Sequence, residues 1–241
     1  MNLSPSEPAH VRIGRAEAYP YDRPSVAYLF DAGMIRPLGP DWHVERTAVV
    51  ACGSNGAPSR LAQKFADGDA QIPVTPAWLH GQVVVYSAHF TSYGALPATL
   101  HACPGAQTRL SITWLTAGQL ERMHQSEGAG ERYDYVELDQ LELVVDGHGA
   151  VTRAGAYVSR RGPLTSDGEP VRLAEVITRD CPLRAYPQRA MLRRAHRNLA
   201  PNMTYPAFMT RILESPAYRR EATARLETSG MARDAMERGA L

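Results

Sequence analysis

The sequence has almost no lysine, few cysteines and no long apolar run. Lys64 is the only lysine among 241 residues, so 25 of the 26 basic residues are arginine. The formal net charge of +1 argues against broad electrostatic capture of nucleic acid or of an anionic membrane. No apolar run approaches the length of a membrane span, and the N-terminus shows no secretory signal pattern. We therefore expect neither a nucleic-acid nor a membrane partner.

Motifs for common cofactors are missing as well. The chain has three cysteines, Cys52, Cys103 and Cys181. Their odd number and the absence of C-x-x-C spacing favour a reducing cytoplasm over a disulfide framework. There is no glycine-rich nucleotide motif and no G-x-S-x-G. A metal is not expected either, because the one suggestive cluster matches no zinc spacing. That cluster consists of His80, His89, His101 and Cys103.

The segment T-A-V-V-A-C-G-S-N-G, residues 47–56, is the most informative stretch. Its first five residues predict a short buried strand. Cys52, Gly53, Ser54, Asn55 and Gly56 then predict a turn that uses positive φ, and Ser59 is expected to cap a helix over residues 60–66. Backbone N–H groups in such a loop can hold a carboxylate or phosphate. An ordinary strand-to-helix turn is the alternative interpretation.

The middle of the chain predicts a set of mostly antiparallel strands. The predicted strands cover residues 81–90, 96–100, 108–114, 133–138, 140–145 and 150–159, and the last two form a hairpin. Loops are expected at residues 67–69 and 73–76, and a turn at Pro104 and Gly105.

The capping residues of one helix predict where it begins and ends. Thr116 followed by Gln119 is a capping-box pattern, and Gly128 is a typical helix end. Glu127 is therefore predicted to be the last side chain of this helix. A glutamate there opposes the helix dipole, so either solvent exposure or a functional role is needed to explain it.

The predicted fold class is α+β, a small mixed β-barrel with surrounding helices and a helical C-terminal extension. Residues 1–41 are predicted to be an N-terminal arm that is loose up to about residue 24, residues 42–186 the barrel domain, and residues 187–241 the extension. Helices are expected over residues 188–199, 205–214 and 216–238. These helices either dock on the barrel or mediate assembly, including homo-oligomerisation.

The order of these motifs resembles the γ-glutamylcyclotransferase-like (AIG2-like) superfamily. Members begin with a strand ending in Tyr-Gly-Ser-Asn and later reach a helix ending in Glu-Gly, followed by aromatic residues. The matching positions here are Cys52-Gly53-Ser54-Asn55, then Glu127-Gly128, then Tyr133, Tyr135 and Tyr157. The likeness covers about residues 46–159. Cys52 in place of the tyrosine departs from the pattern, as do Ser111 and the added C-terminal helices.

The resemblance implies an enzyme of the lyase and acyl-transfer class that needs no cofactor and acts on a small-molecule amide. In the family reaction, the α-amine of a γ-glutamyl group attacks its own γ-carbonyl and releases 5-oxoproline. Glu127 would be the general acid/base, and it would work better with its pKa raised toward neutrality by partial burial. The substrate would be bound by Cys52, Gly53, Ser54, Asn55, Tyr133 and Tyr157.

Two other functions stay open. The same pocket could serve an amide hydrolase or an acyltransferase, in which water or a second amine attacks. The chain could also be a non-catalytic protein that binds a small molecule or mediates assembly. The second alternative would be favoured if Glu127 were exposed, or neutralised by a permanent arginine partner away from the glycine loop.

Overall fold

The computed structural model describes residues 7–66 and 70–229, which form an α+β fold. Its helices are α1 (Ala9–Glu17), α2 (Pro58–Lys64), α3 (Ala117–Glu127), α4 (Gln188–Leu199), α5 (Tyr205–Glu214) and α6 (Pro216–Ser229). The longer strands are β1 (Tyr28–Asp31), β2 (Met34–Arg36), β3 (Thr47–Ala51), β4 (Gln71–Tyr86), β5 (Ala98–Leu115), β6 (Tyr133–Val145) and β7 (Gly149–Ser159). Short strands follow, namely β8 (Thr165–Ser166), β9 (Glu169–Pro170), β10 (Arg172–Leu173), β11 (Thr178–Arg179) and β12 (Ala185–Tyr186).

Strands β3 to β7 close into a small mixed barrel, which confirms the predicted fold class. β5 pairs antiparallel with β4 and β3, and β3 pairs in parallel with β7. β7 pairs antiparallel with β6, and β6 pairs with β4 to complete the ring. Because β3 and β7 run in parallel, their carboxyl ends lie at the same edge of the barrel. The antiparallel pairing of β6 with β7 brings the start of β6 to that edge too.

Two predicted interruptions of the barrel strands are wrong. β4 already begins at Gln71, so Pro73 and Pro76 belong to a strand and not to a loop. Proline φ is compatible with an extended backbone, and Pro73 lies near the start of β4, where a missing N–H is tolerated best. The other predicted loop, residues 67–69, lies outside the described residues.

The predicted turn at Pro104 and Gly105 is the second error, because β5 continues through it. Gly81 and Gly105 have positive φ, and the pairing of β4 with β5 shifts register beside Gly81. The residues therefore form an irregularity that bends two long strands instead of ending them. Gln140, also at positive φ, joins the two predicted runs of β6 in the same way.

The N-terminal segment is not a loose arm where the structure describes it. Ile13 and Ala16 of α1 are buried in the main core, as is Tyr19 just beyond the helix. β1 pairs with β4, and β2 pairs with β1. The sequence does not reveal this order for two reasons. Prolines flank the segment, and apolar residues three apart over only nine residues are a weak helical pattern. The domain limits after residues 41 and 186 stay predictions.

The C-terminal helices dock on the rest of the molecule. The predicted bounds of α4 and α5 are confirmed, and α6 is described as far as Ser229. Phe208, Met209 and Ile212 of α5 are fully buried in the main core. The backbone N–H of Phe90 donates a hydrogen bond of 3.2 Å to Thr223 Oγ1 of α6. Assembly through these helices stays a prediction. Among the described helices, none has the length and apolar character needed to cross a bilayer.

Helix α3 begins and ends where its capping residues predict. Thr116 Oγ1 accepts a hydrogen bond of 3.4 Å from the Gln119 N–H, and Gln119 Oε1 accepts one of 3.0 Å from the Thr116 N–H. At the other end, Gly128 with φ of 65° lies in the left-handed region and terminates the helix. The carboxylate of Glu127 is thereby placed at the end of α3, just before β6.

Replacing Thr116 with alanine removes one half of this capping box. We expect Thr116→Ala to lower the free energy of unfolding by about 1 kcal/mol, because the N–H of Gln119 loses its partner. Thr116→Ser keeps a hydroxyl and should stay within about 0.5 kcal/mol of the parent. Urea denaturation followed by circular dichroism measures both variants. Equal stabilities for the alanine and serine variants would contradict the role of the hydroxyl.

Candidate functional site

One cavity of about 460 Å³ brings all the predicted site residues together. Those residues in its wall are Cys52, Gly53, Ser54, Asn55, Glu127, Tyr133 and Tyr157. They meet because the glycine loop follows β3, Tyr157 lies near the end of β7, and Tyr133 starts β6. All three positions are at the same edge of the barrel, and α3 ends beside them. Their roles in binding or catalysis stay a proposal.

The Glu127 carboxylate contacts the glycine loop directly. Asn55 Nδ2 donates a hydrogen bond of 3.0 Å to Glu127 Oε1. Lys64 Nζ forms an ion pair with the same oxygen and lies 3.2 Å from Met123 Sδ. The exposed fraction is only 3% for the Lys64 side chain and 14% for the Glu127 side chain, so this is a largely buried ion pair. Together with Asn55, this ion pair connects the loop after β3 with α2 and α3.

Lys64 reverses the expected pKa shift of Glu127. Burial alone raises the pKa of this carboxyl, as the sequence predicts. The Lys64 ammonium and the hydrogen bonds from Lys64 and Asn55 outweigh burial, so the pKa of Glu127 is held below its ordinary value. The prediction of a raised pKa is therefore wrong. The sequence offers one signal for the missing partner, namely that this single lysine lies in the helix that follows the glycine loop.

The glycine loop owes its composition to close packing and not to positive φ. Gly53 has φ of −111°, and residues Ser54–Gly56 form a 3₁₀ turn. A Cβ at Gly53 would overlap the hydroxyl of Tyr19, and one at Gly56 would lie 2.7 Å from Ser111 Cβ. The following helix starts at Pro58 after Ala57, which has no side-chain cap, so the predicted cap by Ser59 is wrong. Proline suits the first helical position since its missing N–H would be unpaired there.

Cys52 is a buried thiol in the wall of the cavity. Burial and the nearby Glu127 raise its pKa to about 12. Backbone N–H groups of Cys52 and Gly53 favour the thiolate, but they do not offset burial. Since the thiolate is the nucleophilic form, Cys52 is poorly suited to nucleophilic catalysis at neutral pH.

The tyrosines divide into cavity and packing residues. Tyr157 Oη lies 2.8 Å from His124 Nδ1, which orients the hydroxyl, and burial followed by Glu127 raises the pKa of Tyr157. Burial and Glu127 also raise the pKa of Tyr133. Tyr135 lies outside the cavity wall and packs against His124 with ring centroids 4.6 Å apart. Tyr133 and Tyr157 therefore remain neutral hydrogen-bonding groups of the cavity wall.

Sequence reasoning missed a set of arginines in the cavity wall. They are Arg60 of α2, Arg132 before β6, and Arg219 of α6. The chain has 25 arginines, so nothing in their number or spacing marks these three. Tyr19 from the N-terminal segment and Tyr93 from the loop between β4 and β5 were also missed. They enter the site only through tertiary packing.

The residues of the suspected histidine and cysteine cluster lie apart from a common centre. Among residues 7–66 and 70–229, no group of three or more His, Cys, Asp or Glu side chains could hold a metal ion. His89 lines the cavity, but its Nδ1 lies 2.9 Å from Ser87 Oγ, and burial with Arg161 and Arg132 lowers its pKa to about 4. Cys103 Sγ instead lies 3.5 Å from Cys181 Sγ.

Comparison with known proteins gives remote structural likenesses. No protein-family model matches the chain, and no curated protein matches it significantly. A solved structure titled gamma-glutamyl cyclotransferase aligns with 15% identity and a TM-score of 0.39, over 48% of this chain and 67% of the other.

A solution structure of an Arabidopsis thaliana protein aligns with 19% identity and a TM-score of 0.36. The match covers 47% of this chain and 62% of the Arabidopsis chain, so it spans less than two thirds of that protein. An uncharacterized Homo sapiens protein gives 15% identity and a TM-score of 0.38, over 48% of this chain and 67% of the other. Likenesses of this size leave the chemistry of the site to be inferred from its own residues.

The packing of Gly53 against Tyr19 can be tested with a double-mutant cycle. Gly53→Ala should destabilise the protein, because the added methyl group overlaps the Tyr19 hydroxyl. Tyr19→Phe alone should cost about 1–3 kcal/mol, since the buried Ala98 N–H loses its 2.8 Å hydrogen bond to Tyr19 Oη. The double variant should lose less than the sum of the single losses. Additive losses in urea denaturation would contradict the overlap.

Removing the Lys64 charge should change the titration of Glu127. In the parent protein the pKa of Glu127 is lowered, so the carboxylate stabilises the fold above its ordinary pKa, and this contribution is lost as the pH falls through the lowered pKa. In Lys64→Met burial is opposed only by the Asn55 hydrogen bond and the charge of Arg60, so the pKa of Glu127 should move upward. NMR titration of the labelled glutamate carboxyl measures the shift, with Lys64→Arg as the charge-retaining control. An unchanged pKa in Lys64→Met would refute the coupling.

Proposed function

We propose that this protein cleaves a γ-glutamyl amide, or a related small-molecule amide, by intramolecular aminolysis. One observation carries the proposal: the Glu127 carboxylate is bonded to Asn55 of the glycine loop in the wall of a cavity large enough for a small ligand. The proposed general base and the candidate carboxylate-binding groups therefore line the same cavity. The motif resemblance points to the same reaction.

In the proposed reaction Glu127 first accepts a proton from the substrate and later returns it. The α-ammonium of the γ-glutamyl group gives a proton to the Glu127 carboxylate, and the free amine attacks the γ-carbonyl carbon. A new C–N bond closes the five-membered ring. The C–N bond to the leaving amine then breaks while Glu127 returns the proton to the leaving nitrogen. The attacking nitrogen gives up its second proton to the departing amine, which leaves in its ammonium form. The products are therefore 5-oxoproline and a protonated amine, and Glu127 is again a carboxylate.

The ion pair with Lys64 determines the protonation state in which Glu127 binds the substrate. A lowered pKa keeps the carboxylate ionised at neutral pH, and this is the form that can accept the proton. It also makes Glu127 a weak base, so the approach of the substrate ammonium has to weaken the contact with Lys64 before transfer. Activity is therefore expected to persist well below neutral pH, until Glu127 itself is protonated.

The remaining cavity groups position the substrate. The amide of Asn55 fixes one oxygen of Glu127, and the loop from Cys52 to Asn55 is the candidate binder of the α-carboxylate or of the developing oxyanion. Tyr157 is held by His124 and can present a neutral hydroxyl to the carbonyl oxygen. Such fixed groups lower the barrier by holding the amine close to the carbonyl carbon.

The buried ion pair of Glu127 with Lys64 also supports a second candidate, a non-catalytic protein that binds a small anionic or zwitterionic molecule. An ion pair that never opens would leave Glu127 unable to accept a proton. In that case the protein would bind γ-glutamyl compounds without consuming them. Hydrolysis or transfer in the same pocket would instead yield glutamate or a new amide, so mass spectrometry of the products separates these functions.

The reaction is tested by replacing the proposed base. Glu127→Gln should lower kcat by about 10²–10⁴-fold, because no group remains to take up the proton. Binding of the substrate should persist, since the amide can replace several of the carboxylate contacts. Mass spectrometry of released 5-oxoproline gives the rate, and calorimetry gives the affinity.

Glu121→Gln on the same helix is the matched control, because Glu121 is exposed and its carboxylate accepts a hydrogen bond from Gln125. The control should have the parent rate. Full activity of Glu127→Gln would end the proposed mechanism, whereas 5-oxoproline release by the parent protein would exclude the non-catalytic alternative.

A further inference from the structure

The cavity carries an excess of positive charge. Glu127 and Lys64 cancel each other, whereas Arg60, Arg132 and Arg219 have no carboxylate partner within hydrogen-bond distance among the described residues. Arg132 is exposed and donates to the Glu127 and Ser126 carbonyls. Its charge is screened by solvent. Arg60 and Arg219 are partly buried, so their charges act more strongly inside the cavity.

Arg60 shows an unmet hydrogen-bonding capacity. Its Nη1 donates to Gln63 Oε1 at 3.1 Å, but its buried Nε has no hydrogen-bond partner in the described part of the chain. The guanidinium lies 5.4 Å from the ring centroid of Tyr93, which belongs to the loop between β4 and β5. A buried donor without a partner is costly, and an anionic ligand would remove that cost.

Arg219 contributes to the cavity wall from α6, the last described helix. Its Nη1 donates to the Ile212 carbonyl at 2.7 Å, which fixes the side chain. Burial and the neighbouring Arg220 lower the pKa of Arg219, so the site penalises the charge and does not compensate it. Helix α6 packs on Phe90, in the same loop that carries Tyr93. Two arginines from different helices therefore line the same cavity as this loop.

We infer that Arg60 and Arg219 form a subsite for carboxylates on the amine half of the substrate. The inference rests on the proposed function, in which the γ-glutamyl half occupies Glu127 and the glycine loop. That half is a zwitterion with no net charge, so it leaves the arginines uncompensated. One carboxylate for each guanidinium balances them, and the planar guanidinium suits a carboxylate geometrically. The preferred amine half is thus an acidic amino acid with two carboxylates.

A series of three nearly isosteric ligands tests this subsite: γ-glutamyl-glutamate, γ-glutamyl-glutamine and γ-glutamyl-glutamine amide. Their amine halves carry two, one and no carboxylates. Calorimetry in the Glu127→Gln background measures binding without turnover. We expect the affinity to fall about ten-fold with each carboxylate removed, the loss typical of one charge-assisted hydrogen bond. Equal affinities, or no binding of any of the three, would overturn the subsite.

The arginine variants assign the carboxylates to their partners. Arg219→Gln should reduce the affinity for γ-glutamyl-glutamate about ten-fold and remove one step of the series, and Arg60→Gln should do the same for the other step. Arg225→Gln is the matched control, since Arg225 lies on α6 and donates to the Leu199 carbonyl at 2.9 Å but does not line the cavity. Arg225→Gln should retain both ten-fold differences in affinity between successive ligands. Loss of these differences in Arg225→Gln as well would assign them to helix packing and refute the subsite.

The two proposals can fail separately. If the parent protein releases no 5-oxoproline from any of the three ligands while the graded affinities persist, the subsite stands and the reaction fails. If the parent protein cleaves all three with equal kcat/KM, the reaction stands and the subsite fails. Thermal denaturation of each variant identifies unfolded protein, and Arg60→Gln on α2 provides an independent measurement if Arg219→Gln does not fold.

Discussion

The ion pair between Lys64 and Glu127 is the contact around which the site is arranged. Two charges this deeply buried stabilise a fold only when they meet each other and their hydrogen-bond partners, and loss of one partner typically costs about 3–5 kcal/mol. The end of α2, the end of α3 and the loop after β3 must therefore keep fixed relative positions. The capping residues of α3 and the close approach of Gly53 to Tyr19 serve that requirement.

The cavity is completed by parts of the chain that lie far from each other in sequence. Tyr19 comes from the N-terminal segment, Asn55 and Glu127 come from the barrel region, and Arg219 comes from the last described helix. A barrel alone would therefore leave this pocket incomplete. The N-terminal and C-terminal segments, which the sequence suggests are accessories, belong to the wall of the site.

The sequence predicts what depends on local chemistry and fails where partners are distant. Thr47–Ala51 and the α3 capping box follow from neighbouring residues, and both are confirmed. The predicted rise in the pKa of Glu127 is wrong because Lys64, which lowers that pKa, lies 63 positions away in the sequence. Arg219 could not be recognised, since an arginine in an arginine-rich helix shows no local sign of facing a cavity. The weak helical pattern before Tyr19 is hidden by flanking prolines.

The burial of the only lysine has a practical consequence for chemical labelling. Reagents that acylate amines usually modify many lysines on the surface of a protein. The pattern of modified lysines then reports little about any one site. Here the described surface offers such reagents no lysine, because the ammonium of Lys64 is enclosed by Glu127 and Met123. Acylation of this side chain would therefore report the opening of the ion pair itself, and a ligand that draws Glu127 away from Lys64 would change its rate.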